Sequence, residues 1–499
     1  MDISTPLSRR RLLAAGAATA GAAALTSALP GSTYAASPRA TTTVTYWDTF
    51  VTQAPWVENE IKIFEAAHPD ITIQRTSQLS TAYANLLALA IKSGTQPDVF
   101  ILPATPTVND QVAQGWLAPL NKYANASWPT RFPAGSLHEG GFVFGGKIYS
   151  APFVGSAPVI LLYTNNRVFR KAGLVNADGS AKVPRTWGEM TSAAQAIVKK
   201  SGGSTYGFGF GNQAGVFLGF WIDMLARAAG AAPGLLEVGN IDYRTGRSSL
   251  STDPGYLQAI KQMLAWKKAG LIYPNAASIG DEAARAFFAQ DRFGMIADGN
   301  WAIGGWQAQK FSDYTVTTLP APTAAGPRAY YYYKPGQSSN NEFGLSAHAK
   351  NPDAAWLWLD HLYSVEAGRR WVQMGNGLSV FSQNNSARGI TFKPFAEYVA
   401  LSRYALPEPD PTVRNPLTSQ VIIAPPATAP NSFQIISGAF TGQVSDVKAA
   451  LAKVDAANNG ALIAGIAKAQ GQHYHVSLRD FVFPDWNLHR PYITRPSRG

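Results

Sequence analysis

The chain is expected to be an α/β protein that begins with a parallel sheet, and three observations between residues 44 and 102 carry that expectation. Residues 44–47, 71–75 and 98–102 are short β-prone runs, the second with apolar–polar alternation. Two stretches between them place apolar residues at helical spacing: Val57, Ile61 and Phe64 with Ala67 or His68, then Tyr83, Leu86, Leu87, Ala90 and Ile91. Pro55 and Pro69 bracket the first stretch and Gly94 ends the second. Strand, helix, strand, helix, strand in this order makes a parallel α/β lobe.

Further elements follow in order. Thr186-Trp187-Gly188-Glu189 has capping-box spacing and starts a helix with Trp187, Met190, Ala194 and Val198 on one side and Lys199-Lys200 in its last turn. Asp281 is placed to cap a short helix whose apolar side is Ala284, Phe287 and Phe288, and residues 293–297 read as a buried strand. Asp298-Gly299-Asn300 is turn chemistry, and Trp301 opens the segment beyond. In an open α/β sheet such a strand end faces the ligand crevice, which sets Asp298 and Trp301 at its rim. This stretch alone leaves Trp301 open between core residue and ligand platform. Asn351-Pro352-Asp353 caps a Trp- and Leu-rich helix, and Val444, Val447, Leu451 and Val454 share a helix face near the end. No pattern assigns residues 480–492 to an element.

With 499 residues, 46% hydrophobic and 15% charged, the chain can bury a large core and has room for two or three domains. Its 13 Trp, 20 Tyr and 24 Phe exceed what such a core demands, so some are expected in a binding surface. The formal net charge of +11 is spread over doublets such as Lys199-Lys200, Lys267-Lys268 and Arg369-Arg370 with no long basic run, which argues against a nucleic-acid stripe. Residues 8–13, Ser-Arg-Arg-Arg-Leu-Leu, precede an uncharged Ala-rich run to Leu29 and small residues around Ala35 and Ala36. Positive start, weakly apolar middle and small-residue end describe an export signal over residues 1–36, cut at Ala35 or Ala36. Its paired arginines resemble the twin-arginine signal, which exports folded proteins. With zero cysteines the chain has no disulfides, no thiolate metal site and no cysteine for a lipid anchor.

Catalytic signatures are missing: no G-x-S-x-G, no G-x-G-x-x-G after a strand, no Walker loop and no H-E-x-x-H. The seven His are scattered, and His473 and His475 lack a third ligand, so a solvated pair is favoured over a metal site. No enzyme activity, cofactor or metal is expected.

Eight segments in one order resemble the extracellular solute-binding proteins of ATP-binding-cassette importers, specifically the sugar- and oligosaccharide-binding family. They are FEAAHPDITI (64–73), KSGTQPDVFIL (92–102), GWLAPL (115–120), GGKIYSAPF (145–153), LLYTNNRVFRKAGL (161–174), PRTWGEM (184–190), FGMIADGNWAIGGW (293–306) and KNPDAAWLWLDHLYS (350–364). The resemblance implies a two-lobe α/β, periplasmic-binding-protein-like (Venus-flytrap) fold with the ligand in a cleft that closes. It implies a monomer that delivers a carbohydrate to importer permease subunits. Crossings between lobes are expected near residues 151–162 and 342–347. The first lobe then takes residues 41–155 and about 346–400, and the second takes about 156–345 and 401–499.

A pyranose shows apolar C–H faces and a rim of hydroxyls, so its site needs flat aromatics and amides or carboxylates at the edge. Candidates at predicted strand ends or crossings are Trp47 and Asp48, Gln78, Phe153, Trp221 with Asp223, Asp298 and Trp301, and Asn341 with Glu342. The resemblance favours Trp301 as the stacking platform, whereas Trp116, Trp187, Trp356 and Trp358 fall in packing contexts. Tyr330 to Tyr333 form a run of four tyrosines that resembles the neighbouring tyrosines used by iron-binding relatives; in a strand, one pair would meet the cleft and the other the core. An iron, polyamine or anion ligand is the alternative within this fold, and a twin-arginine-exported enzyme is the alternative outside it.

Overall fold

The computed structural model describes residues 41–495 apart from 134, 233, 236–237, 325–328, 335 and 337–340. The paired-arginine segment lies outside the described residues. The alternation at the start of the chain forms β1 (Thr42–Asp48), α1 (Ala54–Ala67), β2 (Ile71–Ser77), α2 (Ser80–Ser93) and β3 (Val99–Ile101), followed by α3 (Val108–Ala113). β1 pairs in parallel with both β2 and β3. Pro55 lies in the first turn of α1, where a missing N–H costs no helical bond. α2 stops at Gly94, whose φ of 70° is the left-handed cap that glycine adopts without strain.

Next come β4 (Ile160–Asn165), α4 (Asn166–Lys171), α5 (Trp187–Lys200), β5 (Tyr206–Gly209), α6 (Phe217–Ala228), α7 (Pro254–Lys268), α8 (Asp281–Ala289), β6 (Phe293–Gly299), α9 (Ala302–Ala308) and β7 (Tyr314–Thr317). Their strands form a second sheet in the order β7-β4-β6-β5, with β6 antiparallel to β4 and parallel to β5. Beyond β8 (Tyr331–Tyr333), β9 (Phe343–Leu345) joins the first sheet antiparallel to β3, giving the order β9-β3-β1-β2. α10 (Pro352–Leu362), α11 (Val365–Gln373), α12 (Lys393–Ala400), β10 (Ala405–Pro407), α13 (Ser432–Thr441) and α14 (Val447–Gly471) complete the chain order. The two sheets define two lobes.

Several expectations need correction. α12 packs on β7 of the second sheet while its Phe395, Tyr398 and Val399 belong to the first core. Gly280, not Asp281, is the N-cap of α8; Asp281 is the first helical residue and pairs with Arg285 at 3.0 Å. Asn351 makes no cap bond to α10 and instead donates its amide to Thr43 O. Thr186 does accept from Glu189 N, while the Glu189 carboxylate reaches past the cap to Arg185 N.

The first lobe packs around aromatic residues, with Tyr46 edge-on to Trp358 at 5.6 Å and Trp56 edge-on to Trp371 at 5.0 Å. This core runs on to Tyr163, Trp306 and Tyr314 of the second lobe, while Trp187, Trp221 and Trp266 belong to a separate core. Trp116, Trp356 and Trp358 are buried as expected. The tail that sequence patterning could not assign closes a third core: Val476, Phe481, Phe483, Trp486 and Leu488 cover Ile241, Tyr243, Tyr332, Leu406, Leu462 and Ile466. β8 pairs in parallel with β10 beneath this tail, and the Tyr332 hydroxyl donates to Leu488 O.

Candidate functional site

Sequence reasoning put the site at strand ends, and the structure separates those candidates by burial. Asp48, at the end of β1, is 0% exposed. It accepts from Arg75 at 2.6 and 3.0 Å and from Phe50 N at 2.9 Å, and so fixes the β1–α1 turn. Phe153 is buried between Phe50, Phe343 and Trp371 and belongs to the first core. Trp221 and Asp223 are 0% exposed inside α6. Eleven of that helix's twelve residues are buried, which marks a central helix and not a cleft wall. Asp223 pairs with Arg227 at 2.6 Å and accepts the Tyr256 hydroxyl. Asp298 pairs with Arg285 at 2.8 and 3.0 Å; burial pushes its carboxyl up, and the guanidinium opposes that push. Glu342 is buried beside β9, where its carboxylate accepts from Asn341 N.

Trp47, Gln78, Trp301 and Asn341 keep partial exposure. Trp47 points to the face of β1 opposite Tyr46, as the pleat requires. Trp301 rests its inner side on the second core, and its ring occupies the space above Gly299, where a Cβ would fall 2.2 Å from the indole. Glycine at 299 is what lets the indole lie there.

Sequence reasoning missed the loop at residues 374–379, Met-Gly-Asn-Gly-Leu-Ser. Its two glycines have φ of 76° and 145°, and the loop lies against both lobes. Gly155 N donates to Leu378 O at 2.8 Å, and Val380 N donates to Phe153 O at 3.1 Å. A Cβ on Gly155 would lie 2.3 Å from Ser379 O, and one on Gly304 would lie 3.1 Å from Asn376 Oδ1. Asn300 donates to the Tyr398 hydroxyl at 2.6 Å and approaches Gly377. Asn376 is 7% exposed; its Nδ2, the Trp371 Nε1 and the Gln307 Oε1 find no hydrogen-bond partner among the described residues. The Gly-Asn-Gly turn after a Trp-bearing helix was the signal in the sequence. Beside the loop, Gln307, Gln373, Asn384 and Phe395, together with Arg369 and Arg388, line a polar groove of about 430 Å³.

At this loop the unpaired amide and indole groups of Asn376, Gln307 and Trp371 are buried, and the adjoining groove carries Arg369 and Arg388. The strand-end carboxylates Asp48 and Asp298 are each held by a guanidinium. Tyr332, the middle of β8, is spent on the third core, while Tyr331 and Tyr333 lie on the other face, half-buried. His473 and His475 are exposed, and no group of three or more His, Asp or Glu among the described residues is placed to hold a metal.

This fold and interlobe site define a two-lobe binding protein. The chain belongs to the bacterial extracellular solute-binding protein family, whose model matches residues 40–369. Solved structures with the same fold include the GacH receptor of Streptomyces glaucescens, described with acarbose. It is 18% identical with a TM-score of 0.62 and covers 85% of this chain and 99% of its own. The MalE maltose/maltodextrin-binding domain of Bdellovibrio bacteriovorus, bound to maltotriose, is 16% identical with a TM-score of 0.62, covering 84% and 99%. A protein of xylan utilization from Caldanaerobius polysaccharolyticus is 19% identical with a TM-score of 0.61, covering 83% and 99%. No curated protein sequence matches the chain. No helix among the described residues is long and apolar enough to cross a membrane.

Proposed function

We propose that the protein captures a carbohydrate, an oligosaccharide, outside the membrane and delivers it by lobe closure to the permease subunits of an ATP-binding-cassette importer. The observation that carries this reading is the set of uncharged amide and indole groups around residues 371–376 that have no hydrogen-bond partner among the described residues. A metal ion or polyamine needs unmatched negative charge, whereas a sugar needs amides, indole N–H groups and a flat ring. The half-buried Trp301 supplies the ring, with Trp47, Gln78 and Asn341 at the margins, while the amides of Asn376 and Gln307 and the Trp371 indole N–H are buried at the adjoining loop. The names of several solved neighbours, which include acarbose, maltotriose and a chitin oligosaccharide, support the same ligand class. The protein acts as a monomeric carrier without catalysis or nucleic-acid binding. It leaves the cell through residues 1–36 by the twin-arginine route, without a cysteine-linked lipid.

A thermal-shift screen against mono- and oligosaccharides tests the reading, because a ligand at 100 times its dissociation constant adds about 2.7 kcal/mol to stability. A shift with oligosaccharides is the expected result. A shift with ferric iron, polyamines or phosphate and none with sugars would overturn it.

A further inference from the structure

Beyond the matched region, residues 408–420 reach from the second lobe back to the first. On one side they are tied to the second lobe: β10 pairs with β8, and Ile422 and Val421 pack on Gly465 of α14. On the other side Asn109 of α3 donates to Ser419 O at 3.3 Å and accepts from Gln420 Nε2 at 3.3 Å. Pro416 O sits where a Cβ on Gly140 would meet it at 3.1 Å. His138 of the first lobe brings Nε2 to 3.2 Å from Thr412 Oγ1 and 3.8 Å from Asp410 Oδ2.

Asp410 is 1% exposed. Its Oδ1 accepts from Thr412 N and Oγ1, at 2.8 and 2.6 Å, while its Oδ2 has no hydrogen-bond partner among the described residues. The other charged groups nearby have their own contacts. Glu408 pairs with Lys334 at 3.2 Å, and Glu139 accepts the Gly145 and Gly146 amides. His138 is thus the group whose charge state alters what the buried Asp410 carboxylate meets across the lobes.

We propose that residues 408–420 are a clasp between the lobes and that a proton on His138 tightens it, by turning the approach of Nε2 to Asp410 Oδ2 into an ion pair. The clasp is stronger where His138 carries the proton and weaker where the ring is neutral. This inference uses the lobe closure of the proposed function but not the identity of the ligand.

The test needs no ligand. The chain has no cysteine, so Ser93→Cys with Lys268→Cys in the full chain takes one dye on each lobe, and energy transfer reads the opening. From about pH 8 to about pH 5.5 the closed-to-open ratio should rise about fivefold, the size expected of a partly buried ion pair. His138→Gln keeps a bond to Thr412 and should abolish that response. Asn109→Ala should lower closure at every pH while keeping the response. An unchanged pH response in His138→Gln, or no response in the parent chain, would overturn the proposal. A failed sugar screen would leave this measurement intact.

Discussion

At residue scale, Trp301 and Trp221 show why two tryptophans in similar sequence contexts differ. Trp301 is half-buried with its ring above Gly299. Replacing it with Ala removes stacking worth about 0.5–1.5 kcal/mol and roughly 25 cal/mol per Å² of burial, together about 2–3 kcal/mol of sugar affinity. Calorimetric titration should show a 30- to 150-fold loss, on the order given by 1.4 kcal/mol per decade. Gly299→Ala should weaken binding as well, because a Cβ at 299 pushes the ring from its place. Sugar affinity unchanged in both variants would dismiss the indole as the platform. Asp223→Asn, in contrast, leaves Arg227 buried without its charge partner and should cost about 3–5 kcal/mol of stability in a thermal melt, with affinity preserved in the folded fraction. The pairing was legible as Asp and Arg four residues apart on one helix. What hid it was the strand-end reading, which took no account of the apolar residues surrounding both side chains in α6.

At the scale of elements, the parallel start of the chain was legible because each strand and helix there carries its own period and its own stop. α8 with β6 was legible for the same reason, although Gly280 and not Asp281 caps it. The loop at 374–379 was not, since its role comes from what it touches: Phe153, Gly155, Asn300 and Gly304 are all distant in sequence. Contacts between elements also set an acid limit. Glu60 of α1 is buried, which raises its carboxyl. Hydrogen bonds and charge from Arg370 of α11 and His361 of α10 outweigh that and leave it below the usual glutamate range. A lowered carboxylate contributes stability at neutral pH and loses it as pH falls through the ordinary value of about 4.3 and below. Glu60→Gln should lower stability at neutral pH and flatten the fall in melting temperature below about pH 5. An acid limb as steep as that of the parent would assign acid sensitivity to other groups.

For the whole molecule, a chain that passes between two separate sheets allows hinge motion that keeps each sheet intact. Small-angle scattering should therefore give a smaller radius of gyration with saturating oligosaccharide than without. An unchanged radius would mean a rigid, preformed site. Export is tested separately. Arg9→Lys with Arg10→Lys keeps the charge but removes both guanidinium forks, and folded protein should then accumulate inside the cell. Normal secretion of that variant would point to another route. The two-lobe plan was legible from the order of eight segments, whereas the third core was not. Its residues come from positions 232–243, 332, 406, 462–469 and 476–488, and no local period links them.

The closure of that third core also bears on how the chain is made. The Tyr332 hydroxyl meets its acceptor 156 positions later, and Trp486 packs edge-on against the same ring. Translation must therefore run through Leu488 before Tyr332, Leu406 and Ile241 can be covered, and loop closure over such separations is slow. During that interval β8 and the apolar face of α14 are open to neighbouring chains. A membrane channel that threads the polypeptide from its amino end would lengthen the interval, separating the early two-thirds from the segment that seals them. Synthesis to completion in the compartment of origin, followed by passage of the finished body, keeps the sealing segment and its target together throughout.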